Sequence, residues 1–325
     1  MLHRIAILVY PGFEILDATG PASVFAGANR ALANSGRPLF YAIDMVSACG
    51  GPVTSSSGAA LQTQALADMP PERVDTLLLA GSEAESLPAV MAEPAVRQWV
   101  PRCAEAASRF GSICAGAFIL AALGLLDGKR VATHWDACAP LARIYPSVAV
   151  DSDVLYVVDG KIWTSAGVTT GIDMALAMVA CDLGNALAGQ VAKRLVLYAR
   201  RPGYQSQFSP LLQAQLKADG PFADLVTWIQ DNLHEALDVP GLAARAGLSE
   251  RSFYRKFLAA TGQTPARFIE TLRLDAARML LERGLPLKAI SAKVGLSPTA
   301  RLTQVFERRF GVSPRLFREM HTGPE

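Results

Sequence analysis

An eight-residue pattern occurs twice near the C-terminal end of the chain, and few folds accommodate it. Leu242-Ala243-Ala244-Arg245-Ala246-Gly247-Leu248-Ser249 returns 48 residues later as Ile290-Ser291-Ala292-Lys293-Val294-Gly295-Leu296-Ser297. Each copy reads as a short helix stopped by glycine, which takes the positive φ of a helix C-terminus without steric cost. The leucine that follows fills the gap where two helices cross. The serine then caps the next helix by accepting a backbone N–H. Helix, glycine turn and capped helix make a helix-turn-helix unit, so the pattern predicts a helical domain built around two of them.

The helices after each turn divide into an inner and an outer side. In the first, Phe253 and Phe257 lie one turn apart and face the core, leaving Glu250, Arg251, Tyr254 and Arg255 outside. In the second, Leu302, Val305 and Phe306 face inward, and Thr299, Ala300, Arg301, Thr303 and Gln304 are left outward. Both copies close on Gly-x-x-Pro, at Gly262–Pro265 and Gly311–Pro314, where Thr264 or Ser313 caps a helix with proline at its first position. The helix from Ala266 to Glu282 holds the units apart, so that two recognition helices enter successive major grooves of double-stranded DNA about 34 Å apart. Arg251 and Arg255 suit guanine O6 and N7, and Gln304 suits adenine. The helix N-termini near Ser249 and Ser297, with Lys256, Arg308 and Arg309, suit phosphates.

Charge follows the same division. Residues 1–188 carry 11 Lys and Arg against 17 Asp and Glu, a net of −6. Residues 189–325 carry 20 against 12, a net of +8, which suits an anionic partner. This places a domain boundary at 188, a basic connector over 189–217 and the DNA-binding domain over 218–325. The doubled unit, its spacing and both Gly-x-x-Pro closures resemble the AraC family of transcriptional regulators over about Phe222 to Met320. Two positions depart from that family, which often has an aromatic at Leu302 and a long basic residue at Gln304. The resemblance implies an activator that contacts RNA polymerase.

Upstream, strand-like and helix-like segments alternate. Arg4–Tyr10, Phe40–Val46, Thr76–Leu79 and Arg109–Ile113 read as strands, and Asp17–Ala33, Pro94–Ala107, Ala115–Leu125 and Gly171–Asp182 as helices. Val154–Val158 and Lys161–Ser165 flank Asp159-Gly160 as a hairpin. The alternation predicts an α/β sandwich with a mostly parallel sheet. In Gly111-Ser112-Ile113-Cys114-Ala115-Gly116, a strand passes straight into a helix at a cysteine flanked by small residues, the geometry of a nucleophile elbow. A thiol at a helix N-terminus is expected to favour thiolate. His134 follows a further strand. Asp17 and Glu14 follow the first strand, and Gly81 follows Thr76–Leu79 with an N–H to offer an anion or carbonyl. Loops after parallel strands converge on one rim, where ligands bind.

Tyr10-Pro11-Gly12-Phe13 with Leu16-Asp17 and Gly20-Pro21, the cysteine elbow, Thr133-His134-Trp135 and Ser165-Ala166-Gly167-Val168 together resemble the ThiJ/PfpI superfamily, similar to class I glutamine amidotransferases, from about His3 to Leu187. They resemble most its subset fused to AraC domains, the GlxA-type regulators. The resemblance implies a flavodoxin-like sandwich, a homodimer, and a small-molecule effector lined by Asp17, Gly81, Cys114, Ala115 and His134. Asp17 matches the carboxylate of hydrating relatives, with capping of the following helix as the alternative reading. Ala115 stands where those relatives often have threonine, which argues against turnover. Three functions stay open for the first domain: effector sensing, cysteine-dependent hydrolase or hydratase chemistry, and redox sensing at Cys114.

No metal or cofactor is expected. The five cysteines are odd in number with no C-x-x-C spacing, and the four histidines are scattered. Cys49, Cys103, Cys138 and Cys181 read as small buried residues and Trp135 as core. The apolar start, Ile5–Val9, is too short for a signal peptide, and no stretch is long enough to span a membrane, so a soluble cytoplasmic protein is expected.

Overall fold

A computed structural model of the protein describes residues 2–152, 154–197, 201, 203, 207, 222–261, 263–282, 284–310 and 312–321. The chain divides into two units, Met1–Gln207 and Phe208–Glu325.

In the first unit the apolar run Ile5–Val9 is fully buried and forms the middle of a sheet as β1 (His3–Leu8). Alternate side chains feed two cores, Ala6 and Leu8 on one face and Ile5, Ile7 and Val9 on the other, as a parallel strand covered on both faces requires. The remaining main strands are β2 (Tyr41–Ser47), β3 (Gly51–Thr54), β4 (Ala60–Ala65), β5 (Thr76–Leu79) and β6 (Arg109–Ile113). A short parallel pair, β7 (Arg130–Val131) and β8 (Ala149–Val150), lies apart, followed by β9 (Tyr156–Asp159) and β10 (Ile162–Ser165). The order is β3-β4-β2-β1-β5-β6-β10-β9. The inner strands are parallel, and β3 and β9 close the edges antiparallel. The expected β9–β10 hairpin is present. The β3–β4 pair adds strands that the alternating pattern does not predict, because both are short and largely polar or exposed.

One face carries α1 (Ile15–Asn34), and the other carries α2 (Leu87–Ala92), α3 (Pro94–Ala106), α4 (Ala117–Ala122) and α5 (Trp135–Ile144). Asn29 locks α1 to the start of β2 by donating to the Tyr41 carbonyl at 2.7 Å and accepting from the Phe40 and Tyr41 N–H groups. Two further helices, α6 (Thr169–Leu183) and α7 (Asn185–Arg194), cover α1. The boundary expected at 188 falls inside α7. Leu187, Ala188, Val191 and Ala192 are buried in the first unit, with Val191 against Gly27, so 189–194 belong to this core rather than to a connector. Most of the expected connector, including the loop at 205–210 apart from Gln207, lies outside the described residues. Cys103 and Cys138 are buried as expected, whereas Cys49 and Cys181 are exposed.

The second unit is helical: α8 (Ala223–Asp231), α9 (Val239–Arg245), α10 (Glu250–Thr261), α11 (Pro265–Glu282), α12 (Leu287–Lys293), α13 (Thr299–Phe310) and α14 (Pro314–His321). Phe222, Phe253, Phe257 and Phe268 pack edge-to-face or tilted in one half, with ring centroids 5.2–5.7 Å apart. Phe306, Phe310 and Phe317 do the same work in the other. Such pairs add about 0.5–1.5 kcal/mol beyond area burial.

Candidate functional site

Four loops at the C-terminal ends of β1, β5, β6 and β10 meet on one rim. Phe13 pairs with Ser82 across the first two, the Glu14 N–H donates to the Gly81 carbonyl at 2.8 Å, and the Tyr10 hydroxyl reaches the Ala80 carbonyl at 3.0 Å. Between them β6 turns sharply at Cys114, whose φ of +54° is rare for a residue with a side chain and costs of order 1–3 kcal/mol. Its neighbours leave no room to relax. A Cβ on Gly167 would stand 2.3 Å from the Cys114 Cβ, and one on Gly81 would stand 2.6 Å from the Ala115 nitrogen. The elbow expected from the small residues around Cys114 is thus present, although a short 3₁₀ turn, Cys114–Gly116, precedes α4.

Asp17 lies beneath this rim with no exposure. Its Oδ2 accepts from the Gly81 N–H at 2.9 Å and its Oδ1 from the Val168 N–H at 2.6 Å. It therefore clamps the loops after β5 and β10, and holds Val168 at a φ of +51° that a β-branched residue does not adopt unaided. Burial pushes the Asp17 carboxyl up to about 7, against the two N–H donors, which favour the anion. Two expectations change. Asp17 and Gly81 support the cavity from behind instead of lining it, and the Gly81 N–H is already bonded to Asp17. The Cys114 thiol is also pushed up, first by burial and then by the charges of Asp17, Glu14 and Glu83, which outweigh the Ala115 N–H. This direction is opposite to the thiolate expected, because a 3₁₀ turn and a six-residue helix do not offset burial and the neighbouring acidic groups.

Above the elbow opens a cavity of about 580 Å³, a usual size for a small-molecule site. Cys114, Ala115 and His134 line it, as expected from the sequence. Glu14, Glu83 and Asp136 add carboxylates, Phe118, Tyr145, Leu87 and Met91 add apolar wall, and no Lys or Arg lines it among the described residues. Glu14, expected on the rim, comes from the loop after β1; the others come from α2, α4, α5 with the residue that ends it, and the loop after β5, and of these only Asp136, two residues from His134, was hinted at in the sequence. Trp135, expected in the core, is 52% exposed, with its ring 5.3 Å from that of His134.

Beyond α7, Arg201 and Gln207 bond residues next in sequence to two that line this cavity, Val168 and His134. Arg201 donates from its backbone N–H and from Nε and Nη2 to the Asp173 carboxylate, at 3.1, 2.9 and 2.6 Å, and from Nη2 to Thr169 at 2.8 Å, one residue past Val168. The Gly203 carbonyl accepts from the Leu155 N–H at 2.6 Å. Gln207 donates to the Thr133 carbonyl at 3.0 Å, next to His134, and the Thr133 hydroxyl donates to the Cys114 carbonyl at 2.8 Å.

In the second unit both glycine turns have positive φ, +64° at Gly247 and +66° at Gly295. Thr264 and Ser313 cap their helices by accepting from Arg267 and Leu316 at 3.4 and 3.2 Å. Ser249 caps α10 by accepting from Ser252 at 3.4 Å. Ser297 makes no cap hydrogen bond among the described residues. The Ser297–Pro298 peptide is cis, and the Pro298 carbonyl closes the first turn of α13 by accepting from Arg301 at 2.8 Å. Phe253, Phe257, Leu302, Val305 and Phe306 are buried, and Glu250, Arg251, Tyr254, Arg255, Ala300, Arg301 and Gln304 are exposed, with Thr299 and Thr303 half-buried. Arg308, expected at a phosphate, pairs with Glu270 of α11 at 2.8 Å.

Residues 3–181 match the DJ-1/PfpI family, and residues 242–320 match a helix-turn-helix domain. The chain is similar to the HTH-type transcriptional regulator CdhR of Pseudomonas aeruginosa, 30% identical over 308 residues that cover 94% of this chain and 89% of the relative. It is 27% identical to the HTH-type transcriptional regulator GlxA of Rhizobium meliloti, covering 96% and 94%. It is also 32% identical to the isonitrile hydratase of Pseudomonas putida over 207 residues, covering 63% and 83%. Among solved structures, a ThiJ/PfpI family protein from Pseudomonas syringae superposes with a TM-score of 0.54 at 24% identity, covering 70% of this chain and 90% of that one, a likeness of fold.

Proposed function

The chain belongs to the DJ-1/PfpI family and carries an AraC-type helix-turn-helix domain, and from that premise we propose that this DNA-binding transcriptional regulator is controlled by a small molecule held in the Cys114 cavity. The observation that carries the reading is the attachment of Arg201 to Thr169 and of Gln207 to Thr133, each one residue from a cavity-lining residue, Val168 and His134. A ligand that moves the Thr133–His134 segment or the start of α6 pulls on the chain that leads into the DNA-binding unit. Such coupling requires the ligand to bind the two states with different affinity. The carboxylates of Glu14, Glu83 and Asp136, set among apolar walls, favour an effector with a positive charge on a compact apolar body. Cys114, Ala115 and His134 are its proposed contacts, with Asp17 and Gly81 holding the rim. Glu250, Arg251, Tyr254, Arg255, Ala300, Arg301 and Gln304 are the proposed face toward DNA, flanked by Ser249, Ser297, Thr299 and Thr303. The proposal extends to a homodimer in the cytoplasm that activates through RNA polymerase; no helix among the described residues is long and apolar enough to cross a membrane.

The hydratase relative favours a second reading, in which the cavity turns its ligand over. The upward push of burial on the Cys114 thiol and the absence of a hydroxyl at Ala115 weigh against it. Thermal-shift screening of the full chain against small cationic metabolites tests both. A ligand at a hundred times its dissociation constant adds about 2.7 kcal/mol. The effector reading expects a stabilising compound that is recovered unchanged and alters DNA affinity. A compound consumed by the wild type and spared by Cys114→Ala would establish the enzyme instead. The same upward push predicts slow alkylation of Cys114 by iodoacetamide at pH 7, and rapid alkylation would show a thiolate.

A further inference from the structure

The two glycine turns obey one rule and meet different surroundings. At Gly247 an added Cβ would meet nothing within 4 Å, so this glycine is needed only for its φ. At Gly295 a Cβ would stand 2.3 Å from the Leu233 carbonyl oxygen and 2.8 Å from the Arg273 guanidinium. Arg273, on α11, donates from Nε to that same Leu233 carbonyl at 3.0 Å and from Nη2 to the Glu235 carbonyl at 2.7 Å. Leu233 and Glu235 belong to the turn that leaves α8, in the first half of the unit. Gly295 belongs to the turn before α13, the recognition helix of the second half. Burial first, and then the like charge of Arg301 in the first turn of α13, lower the Arg273 pKa. One guanidinium thus bonds the exit of α8 to the linker helix and packs against the glycine turn of the second helix-turn-helix. The Glu270–Arg308 pair ties α11 to α13 again, but it is exposed and weak.

A planar fork that satisfies two carbonyls at once fixes direction as well as distance, which the point charge of a lysine does not. We propose that the Arg273–Leu233–Gly295 junction sets the separation of the two recognition helices, and that Arg273 is a positioning residue for the spacing between the two DNA half-sites this protein accepts. The proposal rests on DNA reading by both α10 and α13. Spacing matters because each recognition helix must arrive in its own groove in phase with the duplex.

The test starts with the full-length wild type selecting its site from randomised duplex DNA. The selected site is then lengthened by one, two or three base pairs between its halves, and affinity is measured for wild type, Arg273→Lys, Gly295→Ala and Gly247→Ala. Wild type should lose about tenfold or more on the first added pair, the scale of a lost base contact. Arg273→Lys and Gly295→Ala should flatten that ratio to about threefold or less, while Gly247→Ala lowers affinity for every spacing and keeps the ratio. Thermal melts identify a variant that does not fold; Arg273→Lys keeps charge and length, and it decides the matter if Gly295→Ala fails to fold. An unchanged spacing ratio in Arg273→Lys, or a wild type indifferent to spacing, would overturn the junction's role. A wild type that enriches no sequence would overturn DNA reading itself.

Discussion

The first unit builds its site on buried and strained residues, and the second builds its own on exposed side chains. Asp17 is fully buried on two backbone N–H groups, and Cys114 and Val168 hold left-handed φ values around it. Around α10 and α13 the interior is phenylalanine and leucine, and Arg251, Arg255, Arg301 and Gln304 stand in solvent. The contrast separates two ways of making a site. A cavity for a small molecule is shaped by backbone that the core must hold in place, so its integrity and the stability of the fold are one quantity. A surface for DNA is a set of side chains on helices that would fold without them.

Substitutions should divide along that line. The largest effect is expected from Asp17→Ala, which leaves the buried Gly81 and Val168 N–H groups unpaired at about 1–3 kcal/mol each. Chemical denaturation of the first transition should show a loss of about 2–6 kcal/mol and poorer ligand binding together. A variant of wild-type stability would remove Asp17 from the account of the rim. Next comes Arg255→Ala, expected to cost about 1–3 kcal/mol of specific DNA binding while moving stability by less than about 0.5 kcal/mol. A uniform loss on all DNA sequences would assign this residue to phosphate rather than to a base.

An effect of pH is also expected. The folded pKa of Asp17, near 7, exceeds its unfolded value of about 4, so its proton is held more tightly in the native state. Its contribution to stability is complete below about pH 4 and is lost as pH rises through about 7. The lowered pKa of His3 acts in the opposite sense, so the informative quantity is the difference between wild type and Asp17→Asn across that range. A difference independent of pH would mean that Asp17 is ionised throughout.

The same contrast explains what was legible in the sequence. The second unit could be read almost completely, because glycine stops, hydroxyl caps and Phe253–Phe257 spacing act within one or two turns. It misled at Ser297, where the following Pro298 takes over the first turn of α13. In the first unit the elbow was legible because Gly111, Gly116 and Cys114 lie together in the chain. The work of Asp17 was not, since its partners Gly81 and Val168 are 64 and 151 residues away. The direction in which the Cys114 thiol is pushed was misread for the same reason: the helix end is local, whereas burial and the carboxylates of Asp17 and Glu83 are brought by the fold. Helix α7 looked like a connector because its apolar residues find their place only against Gly27 of α1.

The most direct test of effector control is a thermodynamic cycle on the full-length wild type. DNA dissociation constants are measured with and without a saturating cavity ligand, and ligand constants with and without the selected DNA. The account predicts that the ligand changes DNA affinity by about fivefold or more and that DNA changes ligand affinity by the same factor. A ligand that fills the cavity while DNA affinity stays the same would contradict it.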